Sequence, residues 1–469
     1  MGKPSEVPPL KKAAIISLGC AKNQVDSELI LGRLRRDGWT IVDDPERADA
    51  VVVNTCSFIE DARRESVDTL LEALEWKKRG QSRKVVAAGC LVQRHGEELA
   101  DSLPDLDAMV GIDDIAEAER RIALPQAPAT AKPPSSGSAQ TLFTHHDPRV
   151  RLSAPWTAFV KISEGCDQSC AFCAIPSFRG RMRSRTIEDL CCEITRLADE
   201  GVVEANLIAQ DTTSYGRDIG HHRGLADLIE AIEDLDRAPR WVRVHYLYPS
   251  RIDDHLLQTF ASARRVVPYF DIPLQHAHED TLRRMRRGGS ATASLSLIER
   301  LRSTREDAAI RSAFIVGFPG ESEQEFETLI DFVRQARFDV TAVFSYSHED
   351  GTHAGRGEDD VPPEVKNERR QRLSDVASEV SESVNRERIG REVEILVENV
   401  DLQQGLVEGR WSGQAVEVDG CVIIEDTNAA DHAPGSWMRC IIEDAGPGEL
   451  FAQTIDDAQD LRAQRRSGV

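Results

Sequence analysis

Short apolar runs and amphipathic stretches alternate along the first 110 residues. Residues 13–20, 49–56 and 83–90 each read as a buried β-strand that ends in cysteine, at Cys20, Cys56 and Cys90. Between the first two, residues 27–39 carry Leu29, Ile30 and Leu34 and close at Gly38. Between the second two, residues 60–79 place Val67, Leu70, Leu71 and Leu74 at i, i+3, i+4 and i+7, the spacing of one helix face. The cysteines lie 36 and 34 residues apart, room for one helical crossover each. This pattern predicts a parallel α/β sheet with a cysteine just past the carboxyl end of each of three strands.

Periodicity stops over residues 124–148, where Pro125, Pro128, Pro133 and Pro134 stand with Ser135, Ser136, Gly137 and Ser138, so 124–150 is expected as a linker. Alternation resumes with predicted strands at 159–163, 205–210, 242–247, 269–274, 312–317 and 340–345, separated by amphipathic helices such as 323–336. Six β/α units over about 190 residues fall short of the roughly 250 of a closed eight-fold barrel, so an open, partial (β/α)6 barrel is expected, with its functional rim at the strand carboxyl ends. A polar helix over 363–389 leads into short alternating runs at 393–397, 405–409, 415–418, 421–424 and 438–442, which predict a small antiparallel barrel of OB type. The fold class is therefore α/β with a C-terminal β-barrel. Its expected divisions are 11–123, the linker 124–150, 151–388, 389–457 and a tail over 458–469.

The length of 469 residues agrees with three domains of about 150 residues. Hydrophobic residues at 40% and charged residues at 29% are those of a globular chain, and no apolar run approaches the roughly 18 to 20 residues that cross a bilayer. Residues 1–12 lack the apolar core of a signal peptide, and Glu6 stands where a myristoylation signal places Ser or Thr, so a cytoplasmic location without a membrane partner is expected. Ten cysteines in a reducing compartment point to metal ligands before disulfides. The net charge of −22 disfavours direct nucleic-acid binding. More than half of it, −12, falls in 389–457, where fifteen acidic residues face only Arg391, Arg410 and Arg439. Such a module would be repelled by phosphates and suits a basic protein partner, against the plainer reading that acidity serves solubility.

Cys166-Asp-Gln-Ser-Cys170-Ala-Phe-Cys173 places three thiols on one loop after the first barrel strand. A closed zinc site needs a fourth ligand, and none follows at finger spacing. An iron-sulfur cluster held by three thiolates leaves one iron open to another ligand. Zinc and inert core cysteines remain the alternatives. Cys20, Cys56 and Cys90 read singly as small buried hydrophobes, but strands of one parallel sheet present their carboxyl ends on one side, so a second three-thiolate site is an equal alternative.

The C-x3-C-x2-C loop with Phe172 before the last cysteine resembles the radical S-adenosylmethionine superfamily. The resemblance implies that Cys166, Cys170 and Cys173 hold a [4Fe-4S] cluster whose open iron chelates S-adenosyl-L-methionine. One electron then cleaves the sulfonium and releases a radical that takes a hydrogen atom from unactivated carbon. Ser17-Leu-Gly-Cys-Ala-Lys-Asn-Gln-Val-Asp-Ser-Glu28, Asn54-Thr-Cys-Ser-Phe-Ile59 and Gly89-Cys-Leu-Val-Gln-Arg94 resemble the N-terminal domain of the methylthiotransferases. By that likeness, which spans about residues 13–455 and includes a C-terminal TRAM barrel, Cys20, Cys56 and Cys90 hold a second, auxiliary [4Fe-4S] cluster.

Within that family, Gly19-Cys-Ala-Lys-Asn23, Ile175-Pro-Ser-Phe-Arg-Gly180, Gln210-Asp-Thr-Thr-Ser-Tyr-Gly216 and Asp271-Ile-Pro-Leu-Gln-His-Ala277 are similar to the RimO type. This type modifies the β-carbon of an aspartate of ribosomal protein S-twelve. The implied partners are ribosomal protein S-twelve, free or in the small ribosomal subunit, and an electron donor such as flavodoxin or ferredoxin. Alternatives are a transfer-RNA adenosine methylthiotransferase and a non-catalytic iron-sulfur protein that binds the ribosome. An Arg or Lys facing the target carboxylate is expected. Phe172, Gln210 and Gly317 are the candidate S-adenosyl-L-methionine contacts; Gly317 and Gly320 either admit close approach of the adenosine or shape turns. His245 and His276 are expected as hydrogen-bonding partners. Cys191, Cys192, Cys421 and Cys440 are expected in the core, and the basic runs 179–185 and 283–287 on the surface, the first well placed for substrate or S-adenosyl-L-methionine.

Overall fold

The computed structural model describes residues 11–80, 84–123, 139–425 and 429–455. The N-terminal domain is a parallel sheet of β1 (Lys12–Ser17), β2 (Thr40–Ile41), β3 (Ala50–Thr55), β4 (Lys84–Gly89) and β5 (Ala108–Val110), in the order β2-β1-β3-β4-β5. Helices α1 (Ala21–Arg36), α2 (Glu60–Lys78), α3 (Cys90–Ser102) and α4 (Ala118–Ala123) connect and flank it. Helix α1 begins six residues before the apolar period does, because its first turns bury polar groups. Asn23 donates to the carbonyls of Leu18, Asn54 and Thr55 at 2.7, 3.3 and 3.2 Å, which ties together the ends of β1 and β3. Residues 124–138 of the expected linker lie outside the described residues. Residues 139–150 run without helix or strand but are anchored: Arg149 is buried between Glu28 of α1 and Glu193.

The central domain adds β6 (Thr157–Lys161), β7 (Ser163–Glu164), α5 (Ile175–Phe178), β8 (Arg183–Ser184), α6 (Ile187–Asp199), β9 (Glu204–Ile208), α7 (Leu225–Glu233), β10 (Trp241–Val244), α8 (Asp254–Ser262), β11 (Tyr269–Asp271), α9 (Glu279–Arg284), α10 (Ala291–Arg302), β12 (Ala309–Val316), α11 (Glu323–Ala336), β13 (Val340–Ser345) and α12 (Pro363–Arg386). Strands β6, β9 and β10 pair in parallel, as do β11, β12 and β13. The halves meet through the Val242 N–H on the Arg265 carbonyl (2.8 Å) and the Leu247 N–H on the Asp271 carbonyl (2.8 Å), which makes one open six-stranded barrel. Alternation divides its faces. Val160, Leu207, Val244, Phe270 and Ile310 join the helix-covered core. Their sequence neighbours Lys161, Asn206, Arg243, Tyr269, Asp271 and Arg311 turn the other way, and a polar interior results.

The C-terminal barrel closes in the order β14 (Glu392–Asp401), β15 (Leu406–Trp411), β16 (Val422–Glu425), β18 (Leu450–Thr454) and β17 (Trp437–Ala445). One expected strand is wrong. Residues 415–418 form a loop between β15 and β16, and the fifth strand is β18. The alternation of Ala415-Val-Glu-Val does not mark a buried face, since Val418 is half exposed; the residues that flank the segment anchor the loop on the central barrel's polar interior. The Ser412 carbonyl accepts from Arg243 (2.8 Å), and the Asp419 carboxylate accepts from the Tyr269 hydroxyl (2.7 Å). Beside it, Glu204 at the start of β9 is clamped by Arg410 (2.5 Å) and Arg243 (3.1 Å), with all three side chains buried. Trp241, Tyr269 and Ala309, which begin β10, β11 and β12, share one apolar cluster with Val407, Val422 and Cys440. The acidic barrel therefore covers the amino-terminal end of the central barrel, opposite the cysteine loops. The 458–469 tail lies outside the described residues.

Candidate active site

Three strand ends bring Cys20, Cys56 and Cys90 to one edge. Cys20 caps α1, Cys56 follows β3, and Cys90 opens α3. Close approach requires glycine at two positions. Gly19 has φ +86°, and a Cβ there would stand 2.9 Å from the Cys56 sulfur; Gly89 has φ +91°, and its Cβ would meet the Asn54 side chain at 2.1 Å. Cys20 is exposed at the mouth of the cluster, while Cys56 and Cys90 are buried. Burial pushes the Cys56 thiol up and the Cys90 thiol up to about 12. At Cys20 the crowded surroundings act in the same direction, but Lys22 and Arg179 outweigh them and hold the thiol below its usual range. Buried thiols that resist ionisation alone become thiolates when a metal ion supplies the charge, so this donor set fits a thiolate-bound cluster.

The second triad lies on the loop bracketed by the antiparallel pair β7 and β8. The Cys166 N–H donates to the Gly180 carbonyl (3.0 Å) and the Ala171 N–H to the Met285 carbonyl (2.9 Å), which pins the loop from both sides. Gly165, at φ +77°, is required because a Cβ there would lie 2.2 Å from the Arg181 carbonyl oxygen. Cys166, Cys170 and Cys173 are half-buried. Burial raises Cys166 and Cys173 to about 12 each, so this set has the same fit to a metal cluster. The Gln168 N–H points at the Cys166 sulfur (3.4 Å), and Arg287 approaches Cys170 at 3.6 Å.

A buried charge network joins the triads. Lys161 bonds Asp26 of α1 and Glu164 (2.7 Å to the latter). Arg179 bonds the same two carboxylates at 3.0 and 2.9 Å and donates to the Cys90 sulfur at 3.1 Å. Burial acts to raise Glu164, but Arg179 and Lys161 outweigh it and hold the carboxyl well below its ordinary range. Gln210 donates to Glu164 at 2.9 Å, which places it on this seam. Phe172 packs with Met285, Phe318 and Tyr346. Gly317 (φ +70°) directs its N–H to Glu321, and the close neighbour its missing Cβ admits is Lys366, at 2.4 Å. His245 meets Asn206 at 3.1 Å and His276 meets Glu321 at 2.9 Å.

Two burial expectations fail in part. Arg181, Arg283 and Arg286 are exposed as expected, but Arg179, Arg185 and Arg287 are buried, since each finds acceptors at the seam or the rim: Arg185 on Glu193 and Asp189, Arg287 on the Pro273 carbonyl with its guanidinium over Tyr248 (4.2 Å). Cys192 is exposed and does not belong to the core, because α6 turns that position outward, while Cys440 is buried. Sequence reading also passed over Asp26, Lys161 and Glu164. Their signal was charge inside segments that are otherwise buried.

An open parallel barrel with a three-cysteine loop after its first strand defines a radical S-adenosylmethionine enzyme. Residues 160–333 match the Radical SAM superfamily, residues 12–111 the family described as Uncharacterized protein family UPF0004, and residues 389–455 the TRAM domain. The chain is 42% identical to the ribosomal protein uS12 methylthiotransferase RimO of Symbiobacterium thermophilum, over 95% of this chain and 91% of that one. It is equally 42% identical to the RimO of Anaeromyxobacter sp. (strain K), over 94% of this chain and 92% of that one. The chain belongs to the RimO family of ribosomal protein uS12 methylthiotransferases. The solved structure of the radical S-adenosylmethionine methyltransferase TsrM from Kitasatospora setae, with cobalamin and a [4Fe-4S] cluster, shares the fold. Its TM-score is 0.51 at 14% identity, over 74% of this chain and 77% of that one. Among the described residues no helix is long and apolar enough to cross a membrane.

Proposed function

We propose that this protein replaces a hydrogen on the β-carbon of one aspartate of ribosomal protein uS12 with a methylthio group, using S-adenosyl-L-methionine and two [4Fe-4S] clusters. The observation that carries the reading is the pair of cysteine triads linked by one buried charge network, in which Arg179 bonds Cys90 of the first triad and Glu164, two residues before Cys166 of the second. Cys166, Cys170 and Cys173 would hold the radical cluster, and Cys20, Cys56 and Cys90 the auxiliary one. Bound there, the clusters supply reductive cleavage of S-adenosyl-L-methionine and sulfur for transfer.

The chain's own residues position and shield. The salt-bridged seam of Asp26, Lys161, Glu164 and Arg179 fixes the N-terminal domain against the barrel and keeps water from between them. Phe172, Gln210 and Gly317 stand on the rim as S-adenosyl-L-methionine contacts, and Gln210 is oriented by Glu164. The working units are 11–123, 151–388 and 389–457. A cytoplasmic setting with flavodoxin or ferredoxin as electron donor completes the reading.

The test is anaerobic incubation of the reconstituted protein with uS12 and, separately, with unmodified transfer RNA, followed by mass analysis. A methylthio group on uS12 alone is expected. Modification of the RNA, or of neither, overturns the reading.

A further inference from the structure

Nearly every buried cation around the two triads is matched by an anion. Lys161 and Arg179 face Asp26 and Glu164, Arg185 faces Asp189 and Glu193, and Arg311 faces Asp271 and Asp419. Arg287 lacks a carboxylate but is held by a carbonyl and an aromatic face. Lys22 stands apart. It lies two residues past Cys20 on the first turn of α1 and is only 9% exposed. Its ammonium rests 3.5 Å from the centre of the Tyr246 ring, beside the Cys20 thiol. Among the described residues no carboxylate pairs with it.

Tyr246 comes from the other domain, on the carboxyl rim just beyond β10. Its backbone is in the left-handed region (φ 59°), which bulky residues seldom adopt, and Asp271 holds it there by accepting its N–H at 3.1 Å. Lys22 is thus fixed where the edge of the N-terminal sheet meets the rim of the barrel. Its partners among the described residues are the Cys20 thiol and the Tyr246 side chain, neither of them a carboxylate, and the thiol side already has a second donor in Arg179 at Cys90, so the ammonium keeps capacity for an incoming carboxylate. The exposed face of Cys20 shows the side from which an external anion can arrive.

We propose that Lys22 binds the carboxylate of the target aspartate; this rests on the methylthiotransferase reading above. The reacting β-carbon of an aspartate is bonded directly to its carboxyl carbon. A cation that grips the carboxylate therefore positions the reacting atom itself, beside the auxiliary triad. A neutral side chain at the target position would leave the ammonium unmatched.

The experiment is a double-mutant cycle on the anaerobically reconstituted holoenzyme loaded with S-adenosyl-L-methionine. Affinity is measured for uS12 with aspartate and with asparagine at the target position, using the wild type, Lys22→Met and Lys22→Arg. The wild type should prefer aspartate by about tenfold to a hundredfold, the range for one charge-assisted hydrogen bond. Lys22→Met should lose that preference and Lys22→Arg should keep part of it. The proposal is overturned if the wild type binds both forms alike, a result that needs no variant to fold. It is also overturned if Lys22→Met keeps the preference, or if that variant loses the iron and paramagnetic signal of the N-terminal site, which would make Lys22 a partner of the thiolates. A wild type that methylthiolates uS12 but ignores the carboxylate sinks the role of Lys22 alone. A wild type that leaves uS12 unmodified sinks the function.

Discussion

The guanidinium of Arg179 donates to the sulfur of Cys90 at 3.1 Å, across the boundary between two domains. The same group closes a square with Lys161 against Asp26 and Glu164, so a single side chain ties the N-terminal triad to the loop that carries the second one. Every member of the square is buried.

Removing that guanidinium leaves two buried carboxylates with one lysine between them. Arg179→Gln should destabilise the protein by about 3–5 kcal/mol, the usual consequence of breaking a buried pair from one side. It should also lower the iron retained by the N-terminal site. Arg179→Lys should recover little, because an ammonium cannot span both carboxylates and the sulfur in the manner of a planar fork. Urea unfolding and an iron count on the reconstituted variants check both statements.

The two triads should separate by function. Cys166→Ala should abolish formation of 5′-deoxyadenosine. Cys56→Ala should abolish methylthiolation while cleavage of S-adenosyl-L-methionine stays measurable. Product mass and nucleoside chromatography on the same reaction decide it, and full methylthiolation by either variant refutes the assignment.

Gly19 offers a test that changes no ligand. Its positive φ and the 2.9 Å approach to the Cys56 sulfur leave no room for a methyl group. Gly19→Ala should force Cys20 and Cys56 apart, with iron content falling toward that of a one-cluster protein and the radical site still cleaving S-adenosyl-L-methionine. Iron and sulfide analysis with electron paramagnetic resonance gives the count.

Legibility in the sequence followed burial. Strands β3 and β4 were plain because both faces are covered and apolar residues run consecutively, Val51 to Val53 and Val85 to Ala88; β1 is shorter in its buried part but repeats the pattern, and the cysteines at the strand ends could be read with them. The seam was not legible. Asp26, Lys161, Glu164 and Arg179 satisfy one another across domains, so a charge inside an otherwise apolar segment could mark burial locally but not name its distant partner. The loop at 415–418 misled because four alternating residues carry the period of a strand without a ladder: Val418 is half exposed, and the loop is held by its flanks, Ser412 and Asp419. Lys22 sat in a motif that could be quoted, yet its isolation from carboxylates emerged only once Tyr246 was placed beside it.

Glu204 carries the last prediction, on pH. Burial acts to raise its carboxyl, but Arg410 and Arg243 outweigh that and hold it down at about 2, against an ordinary value of 4.5. A group whose folded value is depressed stabilises the fold fully above its unfolded value and loses that contribution as pH falls through the folded one. The Glu204 contribution should therefore be complete above about 4.5 and vanish toward about 2. Asp271 is also held at about 2, by His245 and Arg311 against burial, so acid lability alone does not identify Glu204. The variant does. Glu204→Gln leaves Arg243 buried without a carboxylate and Arg410 with only the partly exposed Glu398 (2.8 Å), and should cost about 3–5 kcal/mol at neutral pH. At about pH 2 the wild-type glutamate is half protonated and below that it is neutral, so the gap between the two unfolding midpoints should narrow through pH 2 and close below it. A gap that persists into acid would mean that Glu204 does not clamp the C-terminal barrel through its charge. Because Arg410 belongs to that barrel and Glu204 to the central one, the same titration should loosen the acidic domain from the amino-terminal end of the central barrel before the N-terminal triad is disturbed.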